Sequence, residues 1–150
     1  MFLLKPFVMK HSFQKLDPWY VTGLCDGEAS FTYSRGSQSI NLYFAIKVSN
    51  QDRKLLKDLQ NFFSGGKIYN INSALKEKKN KPVSYYRISK LSELEKIITH
   101  FDKYPLQSQK EKSYQIWREI IFLKKKNFRK PNSEELEGLV QKLSRANLEN

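Results

Sequence analysis

The chain has 150 residues, the length of one ordinary domain, and its 39% hydrophobic and 13% aromatic content suffices for a packed core. Its 27 Lys and Arg against 15 Asp and Glu give a net charge of +12, an excess that attracts polyanions, nucleic acid first and anionic membrane second. No apolar run approaches the roughly 20 residues of a spanning helix, so no membrane role is expected, and one cysteine, Cys25, excludes an internal disulfide and a cysteine-cluster zinc site.

The start, Met1 to Met9, is apolar but broken by Lys5 and Pro6. It lacks the basic leader and small-residue cleavage site of a secretory signal and the Arg-rich character of an import peptide. It reads as an N-terminal arm, residues 1–16. Asp17-Pro18 then opens a helix, since Asp caps well and Pro is favoured at the first helical position. This helix should run to about Gly27. Ser30 to Arg35 alternates like a strand, Gly36 to Ser39 supplies a turn, and Asn41 to Val48 alternates again, so the pair forms a hairpin. A helix over about Asp52 to Phe63 carries the apolar stripe Leu55, Leu56, Leu59, Phe62 and Phe63, and Gly65-Gly66 stops it.

Lys67 to Asn70 is a short strand. Ser73 to Pro82 is a lysine-rich solvated loop, and Val83 to Ile88 is another strand. Leu91, Leu94, Ile97, Ile98 and Phe101 mark the next helix. A helix after Pro105 carries Tyr114, Trp117, Ile120 and Ile121 and ends at Lys124-Lys125-Lys126. A last helix starts near Asn132, with Glu135 as a capping-box partner and Leu136, Leu139, Val140 and Leu143 as its buried stripe. The order α-β-β-α-β-β-α, with added C-terminal helices, predicts an α+β domain with an antiparallel sheet covered by helices on one face. It divides into a core over 17–123 and a C-terminal helical extension over 124–150. His11 and His100 fit no metal spacing and read as structural or exposed residues.

The informative stretch is Trp19 to Phe31. Gly23 and Gly27 share one helix face, and each costs roughly 1 kcal/mol relative to alanine in a helix, which suggests that another backbone comes close. Asp26 and Glu28 then sit at the helix C-terminus, where negative charge is locally unfavourable. In so basic a chain that placement suggests a divalent cation. On position alone, a helix end with solvent-facing acids remains the alternative.

Val21-Thr-Gly-Leu-Cys-Asp-Gly-Glu-Ala29 resembles the LAGLIDADG motif of homing endonucleases position by position. Phe62 to Tyr69 and Tyr104 to Lys110 are also similar to segments of that family, so the likeness spans about Pro18 to Leu123. The resemblance implies a sequence-specific double-stranded DNA endonuclease that hydrolyses phosphodiester bonds with Mg²⁺ or a similar ion. It makes Glu28 the metal ligand, Gly23 and Gly27 the helix-packing positions, Asp26 a helix-end structural acid and Cys25 a packed residue. The family also places a catalytic basic residue near the site at the start of a late helix, and Lys110, beside Ser108 and Gln109, is the candidate for it. Ala29 replaces the final glycine of the family pattern beside the ligand. Only one motif copy is present, which implies a homodimer.

The same resemblance turns the polar sheet face toward DNA: Thr32, Ser34, Asn41, Tyr43, Lys47, Lys67, Tyr69, Tyr85 and Arg87. Such a ribbon fits a major groove. Rival readings are an RNA-splicing maturase of the same fold, with intron RNA as a partner, and a basic ribosomal-type RNA-binding protein. Family members are often encoded in organellar introns. The use of 21 Lys but only 6 Arg suits an AT-rich, mitochondrial coding sequence.

Overall fold

A computed structural model describes residues 15–71 and 82–150. Most of the expected N-terminal arm, with His11, and most of the lysine-rich loop, with Lys76, Lys78, Lys79 and Lys81, lie outside the described residues.

The chain order is α1 (Pro18–Glu28), β1 (Ala29–Arg35), β2 (Ile40–Ser49), α2 (Arg53–Phe63), β3 (Lys67–Ile71), β4 (Val83–Ile88), α3 (Leu91–Lys103), α4 (Lys110–Lys126) and α5 (Glu134–Leu148), with a short 3-10 turn before α2. The expected α+β class and antiparallel sheet are both found: the four strands lie in the order β1-β2-β4-β3, every neighbouring pair antiparallel.

Alternation decides the layers. Phe31, Leu42, Phe44, Ile46, Tyr86 and Ile88 point from one sheet face into the core and are almost fully buried. Helical stripes close over them, including Leu56 and Leu59 of α2, Leu94, Ile97 and Phe101 of α3, and Tyr114, Trp117 and Ile120 of α4. Phe31 is the hub, with the rings of Phe44, Phe101, Tyr114 and Trp117 at 5.3–5.4 Å between centroids, mostly edge to face. Among the described residues the opposite sheet face carries no helix and presents the polar residues.

Two caps differ from expectation. Ser64, not glycine, takes the left-handed position after α2, at φ 53°. Gly65 and Gly66 serve close packing instead. A Cβ on Gly66 would lie 2.5 Å from the Tyr86 ring, and one on Gly65 2.8 Å from the Glu93 carboxyl carbon. At α5 the N-cap is Ser133, whose hydroxyl accepts from the Leu136 amide at 3.2 Å. The third residue on is therefore Leu136, and Glu135 cannot close a capping box.

His100 is structural. Its ring packs against Phe62, Phe63 and Phe101, and burial lowers its pKa to about 4. Thr22 gives its hydroxyl proton to the Tyr104 carbonyl at 2.8 Å. Nε2 of the neutral ring therefore donates to Thr22 Oγ1, at 3.0 Å. This ties the motif helix α1 to α3.

α5 is part of the same core. Leu136, Leu139, Val140 and Leu143 are buried, and the helix lies along β1. Arg35 makes two hydrogen bonds to Glu137 at 2.9 and 3.0 Å, Tyr33 meets Ser144 at 2.8 Å, and Asn147 donates to the Phe31 carbonyl at 3.0 Å. β1 and α5 thus run antiparallel, side by side.

Candidate DNA-cleavage site and nucleic-acid interface

α1 begins where Asp17 accepts the amides of Trp19 and Tyr20 at 2.8 and 3.3 Å. Val21, Thr22 and Cys25 face the core. On the other side of the helix, a Cβ at Gly23 or Gly27 would meet nothing within 4 Å among the described residues. Trp19 and Tyr20 on this helix remain 54% and 49% exposed. Among the described residues nothing packs on either glycine, and two large exposed aromatics stand beside them.

The two acids at the end of α1 have different surroundings. Asp26 accepts hydrogen bonds from the Gln107 amide at 2.8 Å and from the Ser108 amide and hydroxyl at 3.1 and 2.8 Å. It is spent on the turn that leads into α4. Glu28 is exposed, and among the described residues its carboxylate has no hydrogen bond or ion pair. Ala29 is extended at φ −81°, ψ 154° and buried. That backbone requires no glycine, so the methyl group perturbs nothing.

Lys110 opens α4, and its ammonium reaches the Cys25 carbonyl at 3.4 Å. Burial lowers its pKa, while Asp26 and Glu28 pull the other way. Cys25 is fully buried and burial pushes its thiol up, so it is neutral and contributes packing alone. Asp26, Gly27, Glu28, Ala29, Ser108, Gln109 and Lys110 all line one cleft of about 730 Å³. The sequence-derived pair Glu28 and Lys110 is thus brought together. Ser30, Thr32, Asn147, Glu149 and Asn150 complete the lining. Of these, only Thr32 stands out in the sequence. Ser30 directly follows the motif, whereas Asn147, Glu149 and Asn150 carry no local signal, because the end of the chain reaches the cleft only through tertiary packing.

A divalent ion fits this donor set. Glu28 offers a hard, uncommitted oxygen ligand. No group of three His, Cys, Asp or Glu side chains lies together among the described residues, so Glu28 alone does not complete a coordination shell.

The polar sheet face forms rows across the strands. Ser30, Ala45, Arg87 and Lys67 lie in register across all four strands, and Lys47, Tyr85 and Tyr69 form the next row over three. Thr32 pairs with Tyr43 and Ser34 with Asn41. All nine face residues expected from alternation therefore share this surface. Beside the small Ala45, the Arg87 guanidinium lies 3.7 Å over the Tyr43 ring. Tyr69 and Tyr85 stack at 5.0 Å and 20°. These pairings depend on register and could not be read from the sequence.

Comparison with known proteins follows this geometry. A family model for LAGLIDADG endonucleases matches residues 21–121. A probable intron-encoded endonuclease 2 of Neurospora crassa is 32% identical over 121 residues, covering 75% of this chain and 25% of its own length. A 50.9 kDa protein in ND4 intron 1 of Podospora anserina is 29% identical over 122 residues, again 75% of this chain and 25% of its own. The chain thus spans about a quarter of the curated relatives it matches. Among solved structures, the meganuclease I-AabMI bound to uncleaved DNA superposes with a TM-score of 0.74 at 30% identity, covering 89% of this chain and 45% of that one. The homing endonuclease I-TnaI shares the fold, with a TM-score of 0.65 at 23% identity, over 89% of this chain and 99% of that one. The motif helix, the sheet and the family match agree: the chain belongs to the LAGLIDADG endonuclease family.

Proposed function

We propose that the protein is a sequence-specific double-stranded DNA endonuclease that works as a homodimer joined through the Gly23/Gly27 face of α1. The observation that carries this reading is the cleft in which an uncommitted Glu28 faces Lys110 at the end of an unpartnered glycine helix. I-AabMI, similar over most of this chain, is a meganuclease bound to DNA. A twofold seam along α1 brings two Glu28 side chains together and supplies the missing oxygens with the help of DNA phosphates.

Glu28 would hold Mg²⁺ or a similar ion, which when bound activates water and stabilises the leaving oxygen at each scissile phosphate. Asp26 fixes the turn before α4 and so sets where Lys110 stands. Lys110, partly desolvated, favours the neutral amine more than a surface lysine does and is suited to take a proton. The helix-free sheet face lies against the major groove. We assign the gene to an organellar, mitochondrial intron, a reading supported by the intron-encoded relatives and the Lys-rich composition. Intron RNA is a second partner compatible with that origin.

The test is a cleavage selection on a randomised duplex library, with Mg²⁺ and with EDTA. The expected result is one enriched target, cut on both strands only with the metal. Binding of DNA or intron RNA with no cutting under any metal would favour the maturase reading.

A prediction on the division of labour follows from the sheet. Arg87, held flat on Tyr43, can present two donors to a guanine. Arg87→Ala should cost roughly 1–3 kcal/mol on the native site and relax preference at a few base pairs. Replacing Lys76, Lys78, Lys79 and Lys81 by alanine should weaken all sequences alike, each lost phosphate contact lowering the salt slope by about one unit. Binding measured over single-base variants at several salt concentrations separates the two. A uniform loss for Arg87→Ala would make it a phosphate contact.

A further inference from the structure

The family match ends at residue 121, so α5 lies wholly beyond it, yet the last turn of α5 walls the cleft. It touches both sides. Toward β1, Asn147 Nδ2 donates to the Phe31 carbonyl at 3.0 Å. Toward α4, Asn150 Nδ2 donates to the buried Ser113 hydroxyl at 2.9 Å, and Lys112 pairs with Glu149 at 3.3 Å. Phe31 follows Glu28 by three residues and Ser113 follows Lys110 by three. Of the two elements bridged, α4 opens with Lys110 and β1 begins directly after Glu28, the last residue of α1.

Resting on the reading of the site as a DNA-cleavage centre, we propose that Asn147 is a positioning residue for that centre. Its amide holds the start of β1 against the α4–α5 pair and so keeps Glu28 at a fixed separation from Lys110. A neighbouring tie, from the Trp117 indole to the Thr32 carbonyl at 3.2 Å, keeps β1 docked when Asn147 is lost. Removal of Asn147 therefore loosens the separation without unfolding the strand. Reacting groups tolerate little displacement, and an error near 1 Å can cost about a hundredfold in rate.

The experiment compares Asn147→Ala with Ser144→Ala. Ser144→Ala removes a hydrogen bond of the same helix to the same strand, one turn farther from Glu28. At saturating DNA, Asn147→Ala should slow single-turnover cleavage about 10- to 100-fold, while the Kd for DNA in EDTA stays near wild type. Ser144→Ala should cleave at nearly the wild-type rate. Hydrogen exchange at the Ser30 to Thr32 amides should quicken in Asn147→Ala alone. Wild-type cleavage by Asn147→Ala, or equal slowing by both variants, overturns the proposal and leaves α5 a structural brace only. A wild-type protein that cuts no duplex overturns the underlying functional reading instead, whatever Asn147 does.

Discussion

Glu28→Gln should lower the rate of DNA cleavage by on the order of a thousandfold, with DNA affinity nearly unchanged. The amide keeps the shape and loses the charge that a hard cation requires. The fold should not notice, because the carboxylate is exposed and takes no hydrogen bond or ion pair among the described residues. Unchanged circular dichroism and melting temperature would therefore accompany the loss. Asp26→Asn is the instructive contrast. Its carboxylate accepts three hydrogen bonds from Gln107 and Ser108, so its loss should lower stability as well as rate. Full Mg²⁺-dependent cleavage by folded Glu28→Gln would falsify the assignment of Glu28 as ligand.

Gly23→Leu should convert a dimer of about twice 17.7 kDa into a monomer and abolish double-strand cleavage. Among the described residues of one subunit a Cβ there has no neighbour within 4 Å. A helical glycine costs roughly 0.5–1 kcal/mol relative to alanine, so the isolated subunit should be no less stable, and the melting temperature of the monomer should hold or rise. Only an apposed helix would feel the leucine. Light scattering with and without target DNA reads the assembly, and supercoiled-plasmid linearisation reads the cleavage. A Gly23→Leu protein that remains dimeric and cuts both strands would move the seam elsewhere.

Local signals recovered most of the elements, because Asp17-Pro18, the alternation of Asn41 to Val48 and the stripe of α2 each act within a few residues. The glycine pair and the terminal acids stood out locally as anomalies in a helix, but only the resemblance to the LAGLIDADG motif singled out Glu28 between the two acids. Tertiary packing hid the rest. The spacing suggested that glycine caps α2, but the space beside Tyr86 and Glu93 claims both glycines and leaves the left-handed position to Ser64. Asn147 looked like any polar helix residue, since its partner Phe31 lies more than a hundred positions away. The stacking of Arg87 on Tyr43 needed the β2–β4 register, which no alternation pattern supplies.

The docking of α5 along β1 also bears on solubility. An outer strand with free backbone groups invites strands from other molecules to add to the sheet, a route to aggregation. Here the Phe31 carbonyl is taken by Asn147, and Tyr33 and Arg35 are tied to the helix beside them. The opposite border is β3, which is only five residues long and exposes Lys67, Tyr69, Asn70 and Ile71. Along the β1 border, a helix of the same chain thus stands where a strand from another molecule would add to the sheet.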